Sequence, residues 1–360
     1  MQYIWESADW NHFRWQSDLL IGAIGRSRFC QGRLLSEIRK LGMNLSREAQ
    51  AEILIEETIK TSEIEGHRMD RESVRSSVAR RLGLPAVGLQ KTDRHADGLV
   101  EILLDATGQY DKPLAPERLK SWHAALFPTG YSGLHRIGTG DWRGDAPMRV
   151  ISGPIGHEKI HFEAPPGDRI ESEIRQFLLW WNASPNTVEG LLRAGIAHFY
   201  FVTIHPFEDG NGRIARAITD MALAQDERLP TRFYSLSAQI MAERDDYYRI
   251  LERSQKGDSD ITAWLLWFLG CLERAIGNSE TLIAKVLATA DFWQHYARTS
   301  LNDRQRKVIN RILEAGRGGF EGGLTTRKYA SLTKVSRATA FGKYRICSVK
   351  ALSEKIRAGD

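Results

Sequence analysis

The chain contains 360 residues, of which 42% are hydrophobic and 26% are charged. This length and composition suffice for a packed core, predict two or three domains and argue against wholesale disorder. The three cysteines, Cys30, Cys271 and Cys347, are widely spaced and odd in number, which argues against a disulfide framework or a zinc cluster.

The N-terminal residues show no basic segment followed by an apolar one, so we expect no signal peptide. The longest apolar stretch, Ile261 to Leu272, is shorter than the roughly 20 residues of a membrane span. These two observations predict a cytoplasmic protein.

The positive charge is concentrated in the tail. Residues 301–360 contain 14 Lys and Arg against 5 Asp and Glu, a net charge of +9, whereas the whole chain has a net charge of +5. An argument for nucleic-acid binding therefore applies to this tail alone.

Residues 1–85 have apolar stripes at helical spacing and are predicted to form helices. Gly42 is expected to end one of them, and Ser46 is expected to cap the start of the next. That helix should continue to Glu65, where Gly66 stops it. Residues 90–130 indicate two further helices.

Residues 131–166 are rich in glycine and proline and carry two short β-favouring segments, Met148–Ile151 and Lys159–Phe162. Separated by Gly153–Gly156, they predict a β-hairpin with a loose turn. Helices are expected again from Ile170 through Leu287.

Beyond Asp303 the pattern predicts a helix over Arg306–Ala315 and a glycine-rich break over Gly316–Gly323. Two short helices, Thr325–Thr333 and Ser336–Tyr344, then follow at helix-turn-helix spacing.

One loop, residues 204–216, concentrates the groups that could handle an anion and move a proton. Its sequence is IHPFEDGNGRIAR, with an apolar helix-like segment before it and a second one after it. Gly210 and Gly212 allow the backbone N–H groups to form an anion nest, to which the following helix adds its positive N-terminal end. Asp209 could hold Mg²⁺ between two phosphates, and His205 could take a proton from a hydroxyl nucleophile.

The loop lacks the Gly-Lys-Ser/Thr of a Walker A motif and the Gly-x-Gly-x-x-Gly of a dinucleotide fingerprint. The alternative to an anion-binding site is an ordinary polar turn between two helices. A histidine, an acid, Gly-Asn-Gly and two arginines within twelve residues make that alternative a poor one.

Residues 205–216 resemble the Fic family motif, His-x-Phe-x-Asp/Glu-Gly-Asn-Gly-Arg-x-x-Arg, at every specified position. The family transfers AMP from ATP to a hydroxyl side chain of a protein. The resemblance implies that His205 is the general base and Asp209 the Mg²⁺ ligand, while Asn211 and the glycines cradle phosphates. Phe207 would anchor the loop in the core.

The resemblance extends beyond the motif. The hairpin 146–162 corresponds to the family's flap, which pins a target segment by strand pairing, and the segments 246–248 and 255–258 resemble those that line the adenine pocket. The implied nucleotide-binding residues are Gly210, Asn211, Gly212, Arg213, Arg216, Tyr247, Gln255, Val150 and Ile151. For Tyr247 an ordinary packed aromatic residue is the alternative.

Residues 61–66, TSEIEG, resemble the family's inhibitory motif, Ser/Thr-x-x-x-Glu-Gly/Asn, in the subgroup whose inhibitory helix precedes the core. The assignment makes Thr61 and Glu65 inhibitory residues. Arg216 can pair with a carboxylate or with the γ-phosphate of ATP, but not with both at once. Glu65 on Arg216 would therefore keep the isolated enzyme nearly inactive.

The tail resembles a winged-helix domain as far as Phe341, after which the match fails. Its charge would attract DNA phosphates in a salt-dependent way, whereas the alternative is a docking or dimer-supporting domain with a solvated basic face. The first 85 residues also resemble a helical domain found before Fic cores.

The predicted fold is mainly α, a Fic-type helical bundle with a short β-hairpin flap. An N-terminal helical domain (1–88) would precede the catalytic core (89–290), and a small winged-helix-like domain (300–360) would follow it. The expected partners are ATP with Mg²⁺ and a protein target, and family resemblance allows a homodimer.

The predicted function is a self-inhibited protein adenylyltransferase acting on Ser, Thr or Tyr hydroxyls, with pyrophosphate as the leaving group. Two alternatives stay open: a de-AMPylase that uses the same site, and a DNA-binding regulator whose Fic core senses nucleotide.

Overall fold

The computed structural model describes residues 3–84, 92–152, 157, 159–296, 298–299, 301–315, 324–338 and 340. This part of the chain is mainly helical, as predicted, with two small antiparallel strand pairs. None of its helices combines the length and the apolar character needed to cross a membrane. The chain divides into two compact units, Met1–Glu280 and Thr281–Asp360. The division into 1–88, 89–290 and 300–360 stays a prediction.

The first half of the larger unit is built from helices that the apolar stripes predicted. They are α1 (Ser17–Lys40), α2 (Met43–Ile64), α3 (Arg71–Arg81), α4 (Arg94–Gly108) and α5 (Pro116–Leu126). The predicted caps between α1 and α2 were wrong: α2 begins at Met43 with Gly42 at its N-cap, and Ser46 lies inside the helix. The predicted end of α2 is confirmed, since Gly66 follows it with a φ of +82°.

Two strand pairs follow α5. The first joins β1 (Tyr131–Ser132) to β2 (His135–Arg136). The second joins β3 (Arg149–Ser152) to β4 (Lys159–Glu163), with an irregularity between Val150 and Ile151, and it confirms the predicted hairpin. The turn residues 153–156 lie outside the described part of the chain.

The second half of the larger unit contains the helices that hold the motif loop. They are α6 (Ile170–Ala183), α7 (Gly190–Ile204), α8 (Asn211–Glu227), α9 (Leu236–Ala242), α10 (Arg244–Gln255) and the start of α11 (Thr262–His295). Every residue of α7 from Leu191 to Ile204 is buried, which explains why this segment is apolar on all sides. Its partner α8 packs along it, so the loop between them is fixed at both ends.

The smaller unit contains α12 (Asp303–Ala315) and α13 (Thr326–Thr333). They enclose an apolar cluster of Val308, Ile309, Ile312, Leu324, Tyr329 and Ala340. The predicted turn after α13 is present at Lys334, which has a φ of +53°. The segment after residue 340, where the resemblance to a winged helix fails, lies outside the described residues.

Candidate functional site

The motif loop turns sharply at His205 and again at Gly210. His205 ends α7 in the left-handed region, with φ 51° and ψ 59°, and Gly210 precedes α8 with φ 83°. A left-handed non-glycine residue costs about 1–3 kcal/mol, and such residues concentrate at functional sites. The turn at His205 directs the following residues back across the first turn of α8.

The hydrogen bond of His205 distinguishes its two ring nitrogens. Nδ1 lies 3.1 Å from the carbonyl oxygen of Val202, and because a carbonyl only accepts, Nδ1 must carry the proton. In the neutral ring Nε2 therefore keeps its lone pair. Burial, assisted by the Arg143 cation, lowers the pKa of His205 below its usual range. This ring is neutral at pH 7 and has the lone pair that a base requires.

Asn211 and Phe207 close the loop. The side-chain oxygen of Asn211 accepts from the N–H of Phe207 at 2.9 Å, and its amide donates to the Phe207 carbonyl at 2.8 Å. The Asn211 side chain is thus engaged inside the loop, and only its backbone N–H is available for a phosphate. The ring of Phe207 is fully buried, as predicted.

His123 packs against the motif loop at Phe207. The sequence analysis did not identify this residue. Its ring stacks on Phe207 at 4.2 Å with a 2° angle between the planes, and its Nδ1 accepts from the N–H of Gly140 at 2.9 Å. Burial lowers the pKa of His123 to about 4. Nothing in the sequence marks this residue, because its role arises from a contact between distant segments.

Asp209 lies beside the start of α8. Its carboxylate accepts from the Ser132 hydroxyl and from the Gly210 N–H at 2.5 Å, and it lies 3.6 Å from Nη2 of Arg213. Burial alone would raise the pKa of Asp209, but the Ser132 hydrogen bond and the Arg213 cation outweigh burial and lower it. Asp209 is therefore an anion at neutral pH.

Among the described residues no group of three or more His, Cys, Asp and Glu side chains could hold a metal by itself. One carboxylate fits only the mode in which Mg²⁺ is bound mostly by substrate phosphates and water. Asp209 is the residue that would contribute the protein ligand, and the ion would neutralise phosphate charge.

Two buried arginines, Arg213 and Arg216, lie in the first turns of α8, next to the proposed anion nest at Gly210–Gly212. Arg213 lies with its guanidinium 5.0 Å from the centre of the Phe127 ring, and its Nε and Nη2 make no hydrogen bond within the described residues. Arg216 is 2% exposed, and its Nη1 also makes none there. Buried donors without partners are costly, and an anion is the ligand that would satisfy them.

Arg216 is held by Thr61 and Glu65, the two residues at the C-terminal end of α2 that the sequence analysis selected. Its Nε donates to the Thr61 hydroxyl at 2.6 Å, and its Nη2 donates to the Thr61 carbonyl at 2.9 Å and to Oε1 of Glu65 at 2.6 Å. The contact joins residues 151 positions apart. The structure therefore brings Thr61, Glu65 and Arg216 together.

Gly212 makes room for the Glu65 carboxylate. A Cβ atom added at Gly212 would lie 2.1 Å from Oε1 of Glu65 and within 3.2 Å of Nη1 of Arg216. The carboxylate thus sits against the first turn of α8, where the helix end favours negative charge.

Tyr247 and Gln255, the predicted adenine contacts, lie deep in the unit. Tyr247 is 2% exposed and its hydroxyl lies 3.0 Å from Nε2 of His198, while Gln255 is 3% exposed and donates to the Thr203 hydroxyl at 3.2 Å. Of the two predicted hairpin residues, Val150 is partly buried and Ile151 is 55% exposed.

Comparison with known proteins places a family domain on this site. Residues 113–223 match the family model described as Fic/DOC family, and residues 3–84 match the model described as a domain of unknown function, DUF4172. The Fic/DOC match covers residues 113–223, about a third of the chain. The motif loop and both arginines lie inside it.

A curated relative of the Fic/DOC domain is "Protein adenylyltransferase Fic" of Nematostella vectensis. It is 30% identical over 115 residues, which is 31% of this chain and 25% of the relative. A protein of the same name from Drosophila mojavensis is 28% identical over 117 residues. The chain spans about a quarter of the length of the curated relatives it matches.

A solved structure with a similar fold is a Fic family protein from Desulfovibrio desulfuricans. The TM-score is 0.55 at 20% identity, with 90% of this chain and 87% of that chain covered. At this identity the likeness shows the Fic fold and not the activity.

Proposed function

We propose that this protein transfers AMP from Mg-ATP to a Ser, Thr or Tyr hydroxyl of a protein target, and that Glu65 holds the enzyme in an inactive state. The observation that carries the proposal is the contact between Glu65 and Arg216, beside a loop with a neutral histidine and buried guanidinium N–H groups that make no hydrogen bond within the described residues. The name of the curated relatives supports the same reaction.

The roles follow from the geometry. His205 would accept the proton of the target hydroxyl at Nε2 as the hydroxyl oxygen attacks the α-phosphorus and pyrophosphate leaves. Arg213 and the N-terminal end of α8 would stabilise the phosphates, with Asp209 contributing to the Mg²⁺ site. Tyr247, Gln255, Val150 and Ile151 are proposed to border the nucleotide.

Inhibition would come from competition for Arg216. Arg216 is 2% exposed, its Nε and Nη2 are bound to Thr61, and Glu65 takes the remaining hydrogen of Nη2. The γ-phosphate of ATP would need the same donor, so ATP would bind with its α-phosphate out of line with the attacking oxygen. Removing the carboxylate should free the donor and leave His205 in place.

The test is self-labelling with radioactive ATP. Glu65→Gly should incorporate at least about tenfold more AMP than the wild type, because the transfer needs an in-line geometry, and Glu65→Gly with His205→Ala should incorporate none. Glu63→Gly is the matched control, because Glu63 lies on the same helix end but pairs with Lys60. Equal labelling of wild type and Glu65→Gly would overturn the inhibitory role, and labelling that survives His205→Ala would overturn the role of His205.

A further inference from the structure

Arg143 is a buried arginine that has no carboxylate partner among the described residues. It is 4% exposed, and within the described residues no Asp or Glu oxygen lies within 4.0 Å of it. Burial accordingly lowers the pKa of its guanidinium. An unpaired cation in this position is costly, so the contacts that it makes instead should explain its presence.

Those contacts converge on the backbone of the catalytic loop. The Nε of Arg143 donates to the carbonyl oxygen of His205 at 2.8 Å, and its backbone N–H donates to the carbonyl oxygen of Pro206 at 2.9 Å. Two successive peptide groups of the loop are thus bound by a single residue.

The same guanidinium also binds the base of the hairpin β3–β4. Its Nη2 donates to the carbonyl oxygen of Pro165 at 2.5 Å. Arg143 lies six residues before β3 and Pro165 two residues after β4, so this contact joins the two segments that flank the hairpin. The contact with His205 therefore connects the hairpin to the loop.

The peptide that Arg143 binds is the one that needs support. His205 has a left-handed backbone, and the direction of its imidazole depends on those two dihedral angles. A hydrogen bond to its carbonyl oxygen restricts ψ and opposes relaxation to an ordinary helical or extended conformation. The planar guanidinium binds His205 and Pro165 through two nitrogens at fixed positions, Nε and Nη2, whereas a lysine has a single nitrogen on a flexible chain.

We propose that Arg143 is a positioning residue: it holds His205 in its left-handed conformation and fixes the base of the hairpin β3–β4 relative to that histidine. The inference rests on the proposed function in one respect, namely that His205 is the base. The position of His205, the general base, would then be fixed relative to the strand pair that is expected to bind the target.

Arg143 also belongs to the charges around His205. The charged groups that act on this imidazole are Arg143, Glu65 and Asp209; the cation lowers its pKa and the two carboxylates raise it. Replacing Arg143 by a neutral residue should therefore raise the pKa of His205 as well as loosen its backbone. Replacing it by lysine should keep most of the charge effect and lose the double contact.

The experiment uses the full-length chain with and without Glu65→Gly and compares Arg143→Gln, Arg143→Lys and the control Arg149→Gln. Arg149 is an exposed arginine on β3 that pairs with Glu163 and does not touch the loop. The first measurement is the NMR titration of ¹⁵N-labelled imidazoles, with His205→Ala used to assign the signal. The second is the rate of self-labelling over a series of ATP concentrations.

With Arg143→Gln we expect the His205 signal to broaden and its pKa to rise, because a cation that lowers it is lost. The kcat should fall roughly 10- to 100-fold, while KM for ATP changes less than about twofold. Arg143→Lys should lie between Arg143→Gln and wild type in kcat, and Arg149→Gln should leave the His205 NMR signal and its titration as in the wild type.

Unchanged His205 signals and unchanged kcat in a folded Arg143→Gln protein would overturn the proposal. If Arg143→Gln fails to fold, Arg143→Lys is the test of the positioning role. A wild-type line width of the His205 signal and a wild-type kcat in Arg143→Lys would then overturn that role. If Glu65→Gly labels nothing while Arg143 is intact, the proposed function fails, and the NMR titration alone decides the positioning role.

Discussion

At the scale of single residues, the fold sets the protonation state of His205 in two ways. The Val202 carbonyl places the proton on Nδ1, and burial lowers the pKa, so that Nε2 is unprotonated over a wider pH range than in a free histidine. Glu65 opposes this effect because its negative charge raises the pKa of His205. Loss of Glu65 should therefore free Arg216 and also favour the neutral base.

The pH dependence of AMP transfer by Glu65→Gly should reflect this lowered pKa. A general base works when it is neutral, so the rate should be constant through neutral pH and fall only as the pH drops below about 6.5, the ordinary value of histidine. The measurement is initial labelling rate from pH 5 to 9 at saturating ATP. An acidic limb centred at about 7 or above would contradict it, and a second profile at lower ATP separates binding from chemistry.

A series of hydrogen bonds near Arg216 links Tyr247, His198 and Thr219, and the donor and acceptor in each bond can be assigned. The Thr219 hydroxyl donates its proton to the Ala215 carbonyl at 2.8 Å, so Nδ1 of His198 must donate to Thr219 at 3.0 Å. Burial lowers the pKa of His198 to about 3, so the ring is neutral and its Nε2 accepts from the Tyr247 hydroxyl. Tyr247 therefore supports the core beneath Arg216, whether or not it also borders a nucleotide.

Tyr247→Phe should lower the free energy of unfolding by about 1–3 kcal/mol, because Nε2 of His198 would be left buried without a donor. The measurement is urea unfolding at pH 7. Tyr248→Phe is the matched control, since its hydroxyl donates to the Ile64 carbonyl at 3.3 Å and does not contact His198. Equal destabilisation by the two substitutions would contradict the assignment of Tyr247 as the donor and of His198 Nε2 as the acceptor.

At the scale of elements, α2 is attached to the rest of the larger unit by a buried carboxylate as well as by apolar contacts. Glu57 is 5% exposed and accepts from the Ser235 hydroxyl at 2.7 Å, from the Ser237 N–H at 3.0 Å and from the Ser237 hydroxyl. These donors belong to the start of α9, whose helix end favours an anion. Glu57 thus fixes the helix that presents Thr61 and Glu65 to Arg216.

Glu57→Gln should loosen α2 and weaken inhibition in part. An amide cannot accept from three donors with the strength of a carboxylate, so we expect the free energy of unfolding to fall by about 1–3 kcal/mol. Self-labelling should rise above wild type and stay below Glu65→Gly. The control is Glu56→Gln, whose carboxylate faces Arg71 at the surface; labelling by Glu57→Gln that equals this control would contradict the role of Glu57.

At the scale of the whole molecule, two buried neutral histidines make stability depend on pH. The pKa values of His123 and His198 are lowered by burial to about 4 and about 3 in the folded protein, whereas the unfolded chain has the ordinary value of about 6.5. Below that value the unfolded state binds more protons, so this stability is complete above about pH 6.5 and is lost as the pH falls toward 4.

The free energy of unfolding should therefore fall between pH 6.5 and 4.5 with a slope of up to about 1.4 kcal/mol per pH unit for each histidine. Urea unfolding at several pH values measures the slope. His123→Gln should reduce the slope, whereas His135→Gln, at an exposed position on β2, should leave it unchanged. An unchanged slope in His123→Gln would contradict the contribution of this residue.

The sequence predicted the helices around the site well, because their apolar residues recur at helical spacing and their ends carry local signals such as Gly66 and Gly210. It failed at the junction of α1 and α2, where Ser46 offered a good N-cap but the helix begins three residues earlier at Met43. Burial of Ala49, Ile53 and other residues along α2 fixes where this helix packs, and packing outweighs the preference of one capping residue.

The motif loop and the TSEIEG segment could be recognised from sequence, because each concentrates residue types that serve one chemistry. Their meeting was predicted only through the family resemblance: nothing local relates Glu65 to Arg216, and it is the packing of α2 in the larger unit that brings the two charges to 2.6 Å. Arg143 and His123 were invisible for the same reason. Their roles depend on which backbone carbonyl or ring lies beside them, and that is decided by long-range packing and not by the residues next to them in the chain.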